Sequence, residues 1–374
     1  MDEYKSMITE TINEIYPKYL QKKVIKKLEA NNIISTTKDL LSEAEVTIDT
    51  SEEGEFEKIK KAIEQNDDSL TLIENLEYEN SYKYAALFDC DTEDLHEQLE
   101  SAIKGKFILD ANDESFSHDL CSSFSEEEKI IPTYKLINGI YCLKFSNKLT
   151  GYLPMSGDNR RIVKYPIIVL LYKDVNTLEI RLDKIKGFLK NGDEYFYLKQ
   201  FQYVVEWLKE NLNLNIEAMN LAPVIDFIIN PLESEDQTSE VVVTAQAMNL
   251  ATGSKAILDT GVNDQFILPL LGELKNLIRD NGELFNSNEE TKEIKGKLDT
   301  FIFETEETAH LPWISLTWKN ENKSKAVKVK FSFNYLGQEF SLLQYYGNNA
   351  EMERMNNVTK YIIENKRKYL SQES

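Results

Sequence analysis

The stretch Val163-Lys164-Tyr165-Pro166-Ile167-Ile168-Val169-Leu170-Leu171-Tyr172, then Lys173-Asp174-Val175-Asn176, then Thr177-Leu178-Glu179-Ile180-Arg181-Leu182, decides the fold class. An apolar run of strand length, a short polar break and a second strand-length run read as two strands paired in a hairpin. A hairpin pairs its strands antiparallel, which argues against a doubly wound parallel sheet.

Working outward, Gly139 to Phe145 reads as the strand before the hairpin. Asp193 is placed to cap a following helix whose apolar stripe is Leu198, Phe201, Val205, Leu208 and Leu212. Strands are expected at Glu240 to Met248 and Lys255 to Leu258, and a helix from about Asp264 to Arg279. After a polar stretch come strands at Trp313 to Trp318, Ala326 to Phe333 and Glu339 to Tyr345, then a last helix from Glu351 to Leu370. Val327, Val329, Phe331 and Phe333 alternate with polar residues, as a sheet with one wet face requires. Trp313 and Trp318 stand five residues apart, so they fall on opposite faces of their strand.

Upstream, residues 2–15 carry Tyr4, Met7, Ile8, Ile12 and Ile15 on one helical stripe. Pro17 suits the first turn of a second helix with Tyr19, Leu20, Val24 and Leu28 apolar and lysines opposite. A third short helix is expected at Ser35 to Leu41. These helices read as a cap in preference to a helix-turn-helix, because no basic recognition helix follows. Gly54 to Ile63 and Thr92 to Ile103 read as helices, Leu70 to Ile73 and Tyr84 to Phe88 as strands, and Asp110 to Glu128 as a linker.

The expected fold is therefore α+β, an N-terminal helical and acidic region followed by a larger domain of mainly antiparallel sheet flanked by helices. The expected domains are a helical cap at 1–42, an acidic α/β module with a linker at its end at 43–130, and an α+β domain at 131–374. Strands followed by a helix at 139–212 and again at 313–370 suggest two similar halves in the last.

Of 374 residues, 64 are acidic and 43 basic, a net charge of −21. Asp39 to Glu128 holds 27 acidic against 6 basic side chains, and the rest of the chain balances at 37 of each. Phosphate contacts need Lys and Arg, so direct nucleic-acid binding by this segment is disfavoured. The expected partner is a protein with a basic surface; a homodimer is the second expectation. No apolar run approaches the roughly 20 residues of a bilayer helix, so no membrane is expected. The start Met1-Asp2-Glu3-Tyr4 lacks the basic residues and apolar run of a signal peptide, and Cys90, Cys121 and Cys142 have no CxxC spacing, which suits a reducing cytoplasm.

Two short motifs carry potential chemistry. Ala256-Ile257-Leu258-Asp259-Thr260-Gly261 resembles the active-site loop of retropepsin-like aspartic peptidases over about twenty-five residues, Val241 to Phe266. The resemblance implies a homodimer in which two Asp259 carboxylates share one proton, with Thr260 bracing the loop and Gly261 permitting its turn. Val262 departs from the family's Ala or Ser. Asp-Thr-Gly is also ordinary turn chemistry after a strand. Phe88-Asp89-Cys90-Asp91-Thr92-Glu93 resembles the haloacid-dehalogenase loop, which implies Asp89 as nucleophile, Asp91 in proton transfer and Mg²⁺ nearby with Gly157-Asp158. Glu93 stands where that family has Thr or Val, and capping of the next helix by Asp91 or Thr92 is the simpler account.

Gly253-Ser254-Lys255 lacks the upstream glycine of a phosphate loop. His96, His118 and His310 lie far apart, and Glu179-Ile180-Arg181 approaches an acid-x-base nuclease motif without a spaced upstream acid. Arg160-Arg161 offers two cations beside a polar loop. No cofactor or metal is implied beyond these. The expected function is a non-catalytic, cytoplasmic interaction or regulatory protein of a bacterium, in a phage-defence or mobile-element setting. A peptidase using Asp259 is the alternative.

Overall fold

The computed structural model describes residues 3–36, 48–113, 129–153, 160–229, 241–249, 255–259, 274, 277–308, 310–318, 326–346 and 352–373. The fold is α+β, and the chain divides into two compact units, Met1–Met219 with Glu351–Met355 and Asn220–Ala350 with Asn356–Ser374.

The first unit opens with helices α1 (Glu3–Glu14) and α2 (Lys18–Ala30), which bury the expected stripes Tyr4, Met7, Ile8, Ile12 and Leu20, Val24, Leu28. Tyr19 faces solvent instead. The helix anticipated from Ser35 differs at its start: β1 (Ile34–Ser35) pairs parallel with β2 (Ile48–Asp49), and 37–47 lie outside the described residues. Helix α3 (Glu55–Gln65) buries Ile59, Ala62 and Ile63. Helix α4 (Asp68–Glu79) replaces the strand anticipated at Leu70 to Ile73. A four-residue run with three apolar members, Leu70, Leu72 and Ile73, does not separate strand from helix by period alone. Here Leu70, Ile73 and Leu76 continue at helical spacing and are buried against α1, α2 and α3.

Strand β3 (Tyr84–Cys90) is followed by α5 (Leu95–Lys104) and the short β4 (Leu109–Asp110). Then come β5 (Lys129–Ile137), β6 (Ile140–Tyr152), β7 (Arg160–Tyr172) and β8 (Thr177–Leu182), helix α6 (Phe196–Leu212) and β9 (Ile216–Ala218). The hairpin decided from sequence is present, running from Tyr172 opposite Thr177 to Ile167 opposite Leu182, with Asn176 in the left-handed region at φ 49°. Strand order in this unit is β3-β8-β7-β6-β5-β4, with β9 also on β3. Within this sheet these pairings are antiparallel except β4 with β5, and the separate β1–β2 pair is parallel too. Strand β3 belongs to the stretch expected as a separate acidic module, yet it pairs with β8 and β9 from beyond residue 130. The chain's compact units divide at residue 219, not at 130.

Each face of this sheet takes a helical layer. One row, Tyr84, Leu182, Ile167 and Phe145, faces α6: the Phe145 ring meets Trp207 edge-on at 5.1 Å, and Tyr84 meets Tyr197 at 4.7 Å. The next row, Ala85, Arg181, Ile168 and Lys144, faces the N-terminal helices. Lys164 also points there, and its backbone N–H donates to Thr11 Oγ1 of α1 at 2.8 Å.

In the second unit, α7 (Ala222–Ile229) precedes β10 (Val241–Asn249) and β11 (Lys255–Asp259). The 289–308 region, read from the sequence only as part of a polar stretch, is helix α8 (Glu289–Thr308). Of the helix anticipated from Asp264 to Arg279, residues 264–273, 275 and 276 lie outside the described residues, and 274 and 277–279 are helical. Strands β12 (His310–Trp318), β13 (Val327–Ser332) and β14 (Leu342–Tyr346) and helix α9 (Met352–Glu373) complete the chain. The sheet order is β11-β10-β12-β13-β14, antiparallel throughout. One face buries Ile314, Leu316, Val329, Phe331, Leu343 and Tyr345. Trp318 lies on that face, edge-on to Tyr361 of α9 at 6.0 Å, and Trp313 lies on the other.

Candidate functional site

The densest gathering of titratable side chains in the described residues lies inside the first unit. Glu74 and Glu77, three residues apart on α4, point from one helical face at the sheet. Lys144 on β6 and Lys164 on β7 rise from the sheet to meet them. Lys164 Nζ donates to Glu77 Oε2 at 2.6 Å and Lys144 Nζ to the same oxygen at 3.1 Å. Both ammonium groups also bond the Glu74 carboxylate, and Lys144 adds the Glu74 carbonyl at 3.0 Å. Tyr4 donates to Glu74, and Tyr16 donates to Glu77 Oε1 at 3.1 Å. The four charged side chains expose 4% or less of their surface.

The electrostatics are those of a sealed, self-neutralised cluster. Burial pulls the Lys144 ammonium downward, and the attraction of Glu74 and Glu77 outweighs it and raises its pKa. Its Nζ also lies 4.7 Å from the centre of the Tyr78 ring, a cation–π contact. The phenols of Tyr16, Tyr78 and Tyr82 are pushed up, first by burial and, for Tyr16 and Tyr82, next by the Glu77 charge. Beside this cluster on the sheet, Arg181 Nε and Nη2 each reach a separate oxygen of Glu179 at 2.7 Å, and Tyr172 donates to Glu179 at 3.0 Å. Glu179 and Arg181 are fully buried and bidentate to one another. The acid-x-base spacing noted in the sequence is thus an internal ion pair.

Three acids and three bases balance in this interior. Such pairs, closed to solvent and neutralised by one another, hold a fold in one arrangement; they lack the access that proton transfer to a substrate requires.

The motifs singled out from sequence stand elsewhere. Asp89 is half-buried on β3 opposite Thr177 and Glu217. Both neighbours of β3 run antiparallel to it, where a haloacid-dehalogenase loop ends a strand of a parallel sheet. Asp91 Oδ1 accepts from Glu93 N–H at 3.1 Å, and Thr92 Oγ1 bonds the Lys173 carbonyl at 3.0 Å and Asn176 Oδ1 at 2.7 Å. These contacts shape the turn into α5, which begins one turn later than expected, at Leu95. Gly157 and Asp158 lie outside the described residues. Asp259 ends β11, its backbone paired with Ala245, and Thr260 and Gly261 lie outside the described residues. His96 sits exposed on α5, 3.3 Å from Glu100; Arg161 meets Glu10 at 3.4 Å. Burial pushes the Cys90 and Cys142 thiols up to about 12, the side of inert core cysteines. Among the described residues, no three His, Cys, Asp or Glu side chains gather as metal ligands, and no helix is long and apolar enough to cross a membrane.

Among the described residues of the acidic stretch, the remaining carboxylates are exposed or half-buried. On and before α5, Asp91, Glu93, Asp94, Glu97 and Glu100 are exposed while Leu95, Leu99 and Ala102 pack inward. A groove of about 350 Å³ between α2 and α4, lined by Lys27, Asn31, Asp68, Thr71, Asn75 and Glu79 among others, is polar and open. The sequence reading missed Glu74 and Glu77 because it counted them with the surface acids. A signal was present: both fall in step with the apolar stripe of Leu70, Ile73 and Leu76. No protein-family model matches the sequence, and no curated protein matches it.

Proposed function

We propose that the chain is a non-catalytic cytoplasmic interaction protein whose exposed carboxylates dock a partner with a basic surface. The observation that supports this is the division of acids within the front segment. Those that converge, Glu74 and Glu77, are neutralised by Lys144 and Lys164 out of reach of solvent. Of those left exposed, Glu97 and Glu100 stand on the outer side of α5 and Asp91, Glu93 and Asp94 in the turn just before it, while Leu95, Leu99 and Ala102 anchor the other side of the helix in the core. A rigid helix presenting like charges at i, i+3 and i+4 spacing steers an oppositely charged surface and sets its register.

Reversing charge at four positions, Glu93→Lys, Asp94→Lys, Glu97→Lys and Glu100→Lys, tests it. Tagged protein is cross-linked in its native cells and captured partners are quantified by mass spectrometry. The expected result is loss of a specific basic partner with unchanged circular dichroism. A matched reversal of four exposed acids on α8, Glu289, Glu290, Glu293 and Asp299, is expected to leave capture intact. Equal capture by wild type and the α5 variant would reject the reading.

A further inference from the structure

The second unit carries a surface of the opposite character. Its sheet is covered on one face, and the other is half-open. The register places Trp313 beside Ser332, Ser315 beside Lys330 and Thr317 beside Lys328. On the far side of β13, Lys330 faces Gln344 and Lys328 faces Tyr346. Directly paired residues share a face, so these side chains form one contiguous platform across β12, β13 and β14. Trp313, Thr317, Lys328, Lys330 and Gln344 are half-buried, and Tyr346 is exposed. The Lys330 ammonium lies 4.1 Å from the centre of the Trp313 ring. The stretch 313–332 carries five lysines against one glutamate, in a chain of net charge −21.

We propose that this half-buried sheet face binds single-stranded nucleic acid: the Lys330 ammonium swings off the Trp313 ring to meet a phosphate, a base stacks on the ring face so uncovered, a second stacks on Tyr346, and Lys328 meets a further phosphate. Every base offers a π-face, so an aromatic platform accepts a strand without reading its sequence. Lysine ammonium groups supply the backbone contacts that dominate affinity. Two residues along a strand advance about 6.7 Å, close to the length of one extended nucleotide, so Lys328 and Lys330 can serve successive phosphates. Thr317 and Gln344, half-buried on the same face, add hydrogen-bonding groups suited to base edges and sugar hydroxyls. A duplex keeps its base faces stacked inside and gains only the charge contacts. The proposal is independent of the acidic docking helix, which lies in the other unit.

The test is fluorescence anisotropy of the full-length protein with a labelled oligouridylate of about 15 nucleotides, at low salt and over a salt series. The wild type is expected to bind it more tightly than a duplex of equal length. Trp313→Ala is expected to weaken binding about tenfold or more, and Trp313→Phe, which keeps a ring, to restore most of it. Lys328→Gln with Lys330→Gln is expected to flatten the salt slope by about 1.4. Lys292→Gln with Lys295→Gln on α8 removes the same charge and is expected to change nothing. Four results would overturn the proposal: no binding by a folded wild type, wild-type affinity in both platform variants, an equal loss in the α8 control, or displacement of the oligonucleotide by polyglutamate at equal charge. The last would mark a surface for acidic peptides. Should Trp313→Ala fail to fold, the lysine pair and Trp313→Phe decide the matter.

Discussion

Lys164 shows what a single buried charge does in this interior. Its ammonium bonds Glu74 and Glu77, and its backbone N–H bonds Thr11. Replacing it by methionine keeps the stem and leaves two carboxylates facing one ammonium. Breaking a buried pair from one side costs about 3–5 kcal/mol, so Lys164→Met is expected to lower the urea-unfolding free energy by that order. Removing the counter-charge as well, Lys164→Met with Glu77→Leu, is expected to recover most of the loss, because the remaining Lys144–Glu74 pair is balanced. A double variant as unstable as the sum of its parts would show that the cluster does not act as a charge-balanced whole. Asp183 behaves differently. Burial raises its carboxyl from 3.8 to about 6, against the pull of the Lys184 and Lys83 amides. Between those pH values the folded protein holds a proton that the unfolded chain has released, so stability falls as pH rises through that window. Asp183→Asn is accordingly expected to melt above the wild type at pH 8, with the gap closing below pH 4. A gap independent of pH would sink this assignment.

At the scale of elements, what the sequence made legible was periodicity that one element could satisfy alone. The alternation of β13, the apolar run of β7 and the stripes of α1, α2 and α6 survive in the structure with most of their expected buried residues; Tyr19 is exposed, Ile15, Val205 and Phe333 are half-buried, and Val204 is buried in place of Val205. What escaped were elements whose pattern is completed by neighbours. Helix α4 looked like a strand over Leu70 to Ile73, because Glu74 and Glu77 did not register as inward-facing without the lysines across from them. Helix α8 shows little apolar stripe in a polar run, and only Ile302 is buried along it among its described side chains. The candidate cluster was illegible for the same reason: its members come from three elements far apart in sequence, each bland on its own. One contact within β6 is equally invisible in sequence. A side chain at Gly151 would put Cβ 2.8 Å from the Phe188 carbonyl and 2.7 Å from its ring, where the turn Gly187–Lys190 closes on the strand. Backbone on both sides leaves little room to yield, so Gly151→Ala is expected to destabilise by about 1–3 kcal/mol, measured by urea unfolding. Gly54→Ala, where nothing lies within 4 Å, is the comparison expected to stay within about 0.5 kcal/mol.

For the whole molecule, the distribution of charge decides how stability responds to salt. The excess of −21 arises in the stretch from Asp39 to Glu128, and among its described acids only Glu74 and Glu77 are buried. The interior charges are matched one for one and closed to ions, so added salt reaches them weakly. The exposed carboxylates of the same stretch repel one another, and that repulsion weakens the compact state. Raising ionic strength from about 0.01 M to about 0.15 M shortens the screening length from about 30 Å to about 8 Å, which removes most of the repulsion between acids that are not in contact. Exposed ion pairs such as Lys104 with Glu100 and Lys297 with Glu293 lose attraction over the same range, but each contributes little at the surface. Repulsion outweighs attraction because the stretch has 27 acids and 6 bases. The melting temperature at pH 7.5 is therefore expected to rise by a few degrees with added sodium chloride, at about 2–4 °C for each kcal/mol of relieved repulsion. Neutralising Glu93, Asp94, Glu97 and Glu100 to glutamine should produce part of the same rise at low salt and blunt the response to more. A melting temperature that falls with salt would mean that surface ion pairs, and not the crowded carboxylates, govern the folded state.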